Sequence, residues 1–270
     1  MSWAGRRRAL YVTGVLTFFS VLIGVPVAYK ILTIPETCHD GLMNQDETAA
    51  DRGGPCLLLD ERRIAPSAVV WTRAFRVRQP IAGTTTQMGA RYNVLAYVEN
   101  PNEIAGVMTA PYRFSLYDSE NVLVAEREGV GFIAPGGITP VFEGNIDTGN
   151  RTALRALFTF TAPLSWAKTF RTTDGITASN IRTFDLETTP RIQASVTNRS
   201  PSAVLDVSFV IAVFDRGDNA FAASATKIDR IESGATEEIV FTWPDPFPST
   251  IGKIEILPVR TPIFDKNALR

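Results

Sequence analysis

Phe114-Ser115-Leu116-Tyr117-Asp118 and Ile211-Ala212-Val213-Phe214-Asp215 are the two stretches that decide the reading of this chain. Each alternates apolar positions and stops on an Asp, the pattern of a strand running into a turn. Upstream, Val98-Glu99-Asn100 stands to the first stretch as Val196-Thr197-Asn198 stands to the second. Downstream, Pro135-Gly136-Gly137 lies opposite Glu232-Ser233-Gly234. The offset is about 97–98 residues throughout. Solenoid repeats run about 20–50 residues, so this period means a duplicated domain. A β-sandwich of the immunoglobulin-like kind takes about 100 residues, so period and fold agree.

From about Ile64 onward, short β-branched and aromatic runs are separated by Gly, Pro, Asn and Asp. The first set predicts strands at Ala68–Arg78, Arg91–Glu99, Tyr112–Tyr117, Val122–Glu128, Thr139–Ile146 and Ala153–Thr161. The second predicts them at Asn180–Glu187, Arg191–Asn198, Leu205–Phe214, Phe221–Ile228, Thr236–Thr242 and Lys253–Val259. Tyr92-Val94-Ala96-Val98 and Leu154-Ala156-Phe158-Phe160 read as inward faces. Ala162–Phe170 is the best short helix. The expected fold is all-β, two tandem immunoglobulin-like β-sandwich domains after one N-terminal transmembrane helix. The segments are 1–8 as cytoplasmic N-terminus, 9–32 as transmembrane helix, 33–63 as a disulfide-closed acidic loop, 64–161 as first sandwich, 162–175 as linker and 176–270 as second sandwich.

Phe114 to Asp118 spells F-x-L-Y-D, and Asn100-Pro101-Asn102 ends the strand before it. On these residues the first copy, about 68–161, resembles the FxLYD family of exported bacterial β-sandwich domains. The water-stress type of late-embryogenesis sandwich shares the layout of strand, Asn turn, strand and Asp turn. The second copy, about 176–262, departs from the motif at Ile211 and Val213-Phe214, so its membership rests on its alignment to the first. The physical reading is structural: Phe114, Leu116, Ile211 and Val213 point inward, with Tyr117 completing the motif. Asp118 and Asp215 open turns by accepting backbone N–H groups two residues on. Asn100 and Asn198 do the same at the opposite end.

Ala9 to Tyr29 is a run of 21 residues without a charge. As a helix at about 1.5 Å per residue it spans roughly 32 Å, against a hydrocarbon core of about 30 Å. Arg6, Arg7 and Arg8 precede it and Lys30 follows, which keeps the N-terminus cytoplasmic and exports the rest. A cleaved signal peptide is the rival reading. Its apolar core is usually about 7–15 residues with an A-x-A-like site; here the run is longer and no small-x-small site follows. Four of the 27 basic residues and none of the 28 acidic ones lie in residues 1–30, so the remainder is acidic by five. That balance argues against nucleic acid as a partner.

Cys38 and Cys56, both on the exported side, form an expected disulfide closing a loop of 19 residues. Closing such a loop is worth about 3 kcal/mol by the chain-entropy model. The loop carries Asp40, Asn44, Asp46, Glu47 and Asp51, oxygen donors of the kind Ca²⁺ takes six to eight of. It resembles an exported-protein repeat of the form C-x-D-G-x-x-N-x-x-E-T-x-x-D-C-G-G-x-C, departing at Arg52, where a further Cys is usual. Calcium is one reading; a rigid acidic spacer without metal is the other. His39 reads as a solvated loop residue, and a zinc site of Cys38, His39 and Cys56 competes with the disulfide.

A single His excludes a multi-His metal site within the chain and leaves one imidazole base for a Ser or Cys nucleophile. The sequence has no Gly-rich phosphate loop, G-x-S-x-G elbow or H-E-x-x-H. A carboxylate pair for glycoside chemistry stays open, although the carboxylates sit mostly at turns. Asn150 and Asn198 match the N-glycosylation pattern, Arg216-Gly217-Asp218 is an adhesion-like tripeptide at a turn, and Trp71, Trp166 and Trp243 read as packing. The expected role is an extracytoplasmic structural or interaction subunit, held to membrane lipid through 9–32 and meeting other envelope proteins. No cofactor is expected beyond the calcium reading. A ligand-binding receptor is the alternative.

Overall fold

The computed structural model describes residues 3–32, 38–44, 46–78 and 90–264. The chain forms two compact units that part between Cys56 and Leu57.

The first unit opens with helix α1, Trp3–Leu32. Within its stretch Gly5–Lys30, an 18-residue window has mean hydropathy 2.0, and the helix is long and apolar enough to cross a membrane. It has apolar side chains on every side instead of one stripe, which suits a helix surrounded by lipid. A helix also satisfies its own backbone N–H and C=O groups, as hydrocarbon requires. Pro26 sits near its C-terminal end, where the lost hydrogen bond is least costly. The Arg7 guanidinium lies 4.1 Å from the centre of the Trp3 ring.

The second unit is built of strands β1 (Ala68–Arg78), β2 (Arg91–Asn100), β3 (Ala105–Tyr117), β4 (Leu123–Ile133), β5 (Gly137–Asp147), β6 (Arg155–Phe160), β7 (Trp166–Phe170), β8 (Ile176–Phe184), β9 (Arg191–Asn198), β10 (Val204–Phe214), β11 (Ala220–Ile231), β12 (Thr236–Thr242), β13 (Lys253–Val259) and β14 (Ile263–Phe264). The first sandwich faces a β1-β2-β5 sheet against one in which β3 lies between β4 and β6. The second faces β8-β9-β12 against β11-β10-β13. Every pairing is antiparallel.

Each sandwich has its own core. Tyr92, Val94, Ala96 and Val98 from β2 meet Phe114 and Leu116 from β3, with Ile133, Phe158 and Trp166 closing the layer. Ile192, Ala194 and Val196 from β9 meet Phe209, Ile211 and Val213 from β10, with Ile239, Phe241 and Trp243. Fully burying one such side chain is worth about 1.5–3 kcal/mol.

Strands β2 and β10 are buried on both faces. The outward residues Leu95 and Tyr97 of β2, with Phe75 of β1, pack on Val210, Ala212 and Phe214 of β10 and Ala223 of β11. The sheet β1-β2-β5 therefore stacks on β11-β10-β13, and the unit is a four-layer stack of two sandwiches.

Three expectations are corrected. Residues 162–170 form no helix: Trp166–Phe170 is strand β7, with Val107 opposite Trp166 and Ala105 opposite Lys168. The reason is that β3 begins at Ala105, seven residues before the expected Tyr112. Its early edge needs hydrogen-bond partners that a helix would not supply. The expected linker thus carries a strand of the first sandwich. On its other edge, Lys168 N–H donates to Leu57 O and Leu59 N–H to Trp166 O, each at 2.9 Å, and β14 pairs with Thr169 and Phe170. Second, Leu154 points outward at 67% exposure, because β6 starts at Arg155 and its inward series begins at Ala156. Third, the strand expected at Asn180–Glu187 runs Ile176–Phe184. Asn180 takes φ 50°, and the ladder slips between Ser179 and Arg182, a bulge that shifts the register.

Thr169 is 1% exposed and its hydroxyl has no hydrogen-bond partner among the described residues. An unpaired buried hydroxyl costs about 1–3 kcal/mol. Thr169→Val, close in shape, is expected to raise the melting temperature by about 2–4 °C. A lower melting temperature would show that the hydroxyl is hydrated.

Candidate functional site

The cysteine loop is joined by a Cys38–Cys56 disulfide with Cα atoms 5.4 Å apart. A tight turn at Ala49–Arg52 shapes its second half, with Thr48 N–H donating to Arg52 O at 2.9 Å and Arg52 N–H to Ala49 O at 3.0 Å. Gly54 sits at φ 51°, and a Cβ there would meet Asp46 O at 2.6 Å, so only glycine fits.

The five expected oxygen ligands all fall within this loop, and several carboxylates turn to its own amides. Asp51 accepts from Asp40 N–H at 2.9 Å and Gly41 N–H at 3.0 Å. Asp40 accepts from Leu42 N–H at 2.8 Å and Asn44 Nδ2 at 2.9 Å. Glu47 Oε2 accepts from Asn44 and Asp51 N–H, each at 3.2 Å. Asp46 is exposed, at φ 66°. Such bonds order the loop as a brace, and a cation would compete with the same N–H donors. Cys38, Glu47 and Cys56 place one ligand-type atom each within 4.8 Å of the others; joined in a disulfide, the sulfurs offer no thiolate to a metal. His39 is exposed.

The motif residues occupy structural positions. Phe114 and Leu116 are 0% exposed, and Tyr117 lies under the Arg155 guanidinium at 5.1 Å. Asn100 is wholly buried. Its Nδ2 donates to Ala105 O at 2.7 Å and Ala134 O at 2.8 Å, and its Oδ1 accepts from Asn102 N–H at 3.0 Å. Asn198 makes the matching set: Nδ2 donates to Ser202 O at 2.9 Å and Ile231 O at 3.0 Å, while Oδ1 accepts from Ser200 N–H at 2.9 Å. Of the two glycosylation matches, Asn150 is exposed and Asn198 is not.

Asp118 Oδ1 accepts from Glu120 N–H at 3.0 Å and Val122 N–H at 2.9 Å. Asp215 Oδ1 accepts from Gly217 N–H at 2.8 Å and Asn219 N–H at 2.9 Å. The Val122 N–H holds the Asp118 carboxyl below the usual carboxylate range; burial opposes this, and Glu120 N–H and Arg151 add to the lowering. The Asn219 N–H does the same for Asp215, again against burial and with help from Gly217 N–H. A folded pKa lower than the unfolded one gives stability that is present above the unfolded value and lost as pH falls through the folded one. Asp118→Asn with Asp215→Asn should therefore flatten the acid limb of a stability–pH curve by lowering stability in the neutral region, leaving the acid end the less changed. An acid limb of unchanged slope would contradict the assignment.

The stacking of the two sandwiches adds residues that the motif reading passed over. Arg73 Nη1 donates to Ala220 O at 2.6 Å, Asn93 Nδ2 to Ala223 O at 3.0 Å and the Tyr97 hydroxyl to Glu255 Oε2 at 3.0 Å. Burial first, and then the Glu255 charge, push the Tyr97 hydroxyl far above its usual pKa, so it stays a proton donor. Trp71 packs on Tyr97 with ring centres 4.3 Å apart. The signal for this seam lies in the aligned copies. Arg113, Ser115 and Tyr117 of β3 stand where β10 has Val210, Ala212 and Phe214, and Gln193 and Ser195 of β9 stand where β2 has Leu95 and Tyr97.

At the end of the seam, Trp71, Thr72, Arg73, Phe214, Asp218 and Ala220 line a cavity of about 180 Å³. Asp215, Arg216, Gly217, Ser249 and Thr250 line another of about 260 Å³ beside the exposed tripeptide turn. Both fall below the roughly 300–1,000 Å³ usual for small-molecule sites.

No protein-family model matches the chain, and no curated protein matches it. Among solved structures, a β-glucuronidase from glycoside hydrolase family 2 is similar over 66% of this chain and 24% of its own, at 8% identity and a TM-score of 0.23. A Bacteroides uniformis β-glucuronidase is similar over 73% and 28%, at 11% identity and a TM-score of 0.18. The chain spans about a quarter of the length of these enzymes. Likeness of this degree carries no argument about activity.

Proposed function

We propose that the chain is a single-pass membrane protein that displays its cysteine loop and two FxLYD-like sandwiches on the extracytoplasmic side, as a structural or interaction subunit of an envelope assembly. The observation that carries this reading is the order along the chain: Arg6, Arg7 and Arg8, then the uncharged run Ala9–Tyr29 within a helix long and apolar enough to cross a membrane, then a disulfide. Basic residues stay cytoplasmic, and disulfides persist in oxidising compartments. Lipid around residues 9–32 is the first partner.

Duplication is supported by the sheets. The order β8-β9-β12 follows β1-β2-β5 strand for strand, and β10 lies between β11 and β13 as β3 lies between β4 and β6. Display, not catalysis, fits the carboxylates, since the Asp residues of the motif serve as turn acceptors and, among the described residues, the cavity beside Asp215 is about 260 Å³. An acidic exterior disfavours nucleic acid.

The test is membrane fractionation with protease shaving of intact cells or spheroplasts, read with an antibody against residues 57–264. The protein is expected to resist carbonate extraction and to lose that epitope to external protease. Protection of the epitope in intact cells would overturn the topology. A mature N-terminus beyond Lys30 would replace the anchor with a signal peptide.

A further inference from the structure

One buried carboxylate oxygen in the cysteine loop takes no donor among the described residues in the disulfide form. Glu47 is 5% exposed and Cys56 is 0% exposed. Glu47 Oε2 takes the two amide donors described above, whereas Oε1 lies 3.0 Å from Cys56 Sγ. A disulfide sulfur carries no proton, so that contact is not a hydrogen bond. It becomes one when Cys56 is a thiol. The pairing is local: the turn at Ala49–Arg52, the Cys56 N–H to Gly53 O bond and the Asp51 N–H on Glu47 set Glu47 against Cys56 through bonds that do not involve Cys38. Cys38, by contrast, is half-exposed.

We propose that the loop is a thiol–disulfide exchange site in which Cys38 meets an external disulfide or thiol, Cys56 is the resolving cysteine and Glu47 carries its proton. In closure, Cys38 first attacks an external disulfide R–S–S–R, giving a Cys38–S–S–R mixed disulfide and one RSH. Glu47 then takes the Cys56 thiol proton. The Cys56 thiolate attacks the Cys38 sulfur, the Cys38–S–R bond breaks, and RS⁻ leaves and is protonated. Two cysteine thiols are oxidised and one external disulfide is reduced to two thiols. In opening, an external thiolate attacks Cys38, and Glu47 returns the proton to departing Cys56. A thiol buried among apolar groups ionises reluctantly, which is the barrier a neighbouring carboxylate removes.

The full-length protein in detergent is reduced with dithiothreitol, desalted and reoxidised with glutathione disulfide, with alkylation and mass spectrometry at intervals. Glutathione is expected on Cys38 and to persist there in Cys56→Ser. In Glu47→Gln, conversion of the mixed disulfide to the closed form should slow tenfold or more at about pH 7, the low end of general-base contributions. Near pH 10, above the ordinary thiol range of about 8.5, the two rates should converge within about twofold. Equal rates at pH 7 would overturn the proposal, as would glutathione settling on Cys56 in preference to Cys38. An equal deficit at both pH values would also overturn it, since a carboxylate that only shapes the loop slows closure regardless of thiol ionisation.

Discussion

Asn198→Ala is expected to destabilise the second unit by about 3–5 kcal/mol, and Asn198→Asp by more. The side chain is wholly buried at the end of β9. Its Nδ2 serves Ser202 O before β10, Ile231 O at the end of β11 and Glu232 O in the next turn, at 2.9, 3.0 and 3.2 Å. One amide thus ties three chain segments at one end of the sandwich. Removing it leaves the buried Ile231 carbonyl without that donor, at about 1–3 kcal/mol, and takes the same donor from the part-buried carbonyls of Ser202 and Glu232. The loop would also lose the Oδ1 that receives Ser200 N–H and hydroxyl. Asp is worse than Ala because its carboxylate, which only accepts, would face those carbonyl oxygens. Thermal or urea unfolding checks the ranking, and Asn100 should repeat it, since its Nδ2 serves Ala105 and Ala134 in the same way. A loss below about 1 kcal/mol would mean that water replaces the amide.

The behaviour of Asn198 also shows how far a sequence reaches. The even-numbered series Tyr92 to Val98 and the pair Phe114 and Leu116 were legible because period-2 alternation is a direct image of which face meets the core. Asp118 and Asp215 were legible because an Asp side chain acts on N–H groups within a few residues of itself. Asn198 was legible as a turn residue, but its bonds to Ile231 and Glu232 join residues more than thirty apart, and no local pattern records them. Strand β7 failed for a related reason. Ser165-Trp-Ala-Lys-Thr-Phe170 has no intrinsic preference strong enough to decide, and its state is set by the edge of β3 that it completes. In the cysteine loop, the pairing of Cys38 with Cys56 follows from count and compartment. The contact of Glu47 with Cys56 depends on left-handed backbone at Asp46, Asp51, Gly53 and Gly54.

The seam between sandwiches carries the second large effect. Ala212→Glu is expected to part the two sandwiches while leaving each core in place. Ala212 is 0% exposed, between Val210 and Phe214 on the face of β10 that meets β2. A carboxylate there would be buried without a partner, a cost commonly above about 4 kcal/mol and among the largest of single substitutions. The aligned face in the first sandwich is polar: Arg113, Ser115 and Tyr117 stand where β10 has Val210, Ala212 and Phe214. There Ser115 donates to Glu126 at 2.9 Å and Arg113 pairs with Glu128 at 2.5 Å. The faces that stack are apolar, and their counterparts in the other copy are polar or charged. The contact joins unlike faces, β1-β2-β5 on β11-β10-β13, and a contact of that type propagates from copy to copy unless the terminal faces refuse it. Ala212→Glu extends that refusal to the seam. Unfolding followed by calorimetry should then change from one transition to two, with a larger radius of gyration by small-angle scattering before the first. One transition at unchanged dimensions would show that the seam tolerates a charge and that its apolar contacts do not hold the sandwiches together. Loss of both cores at once would show that neither sandwich is stable without the other's covering sheet.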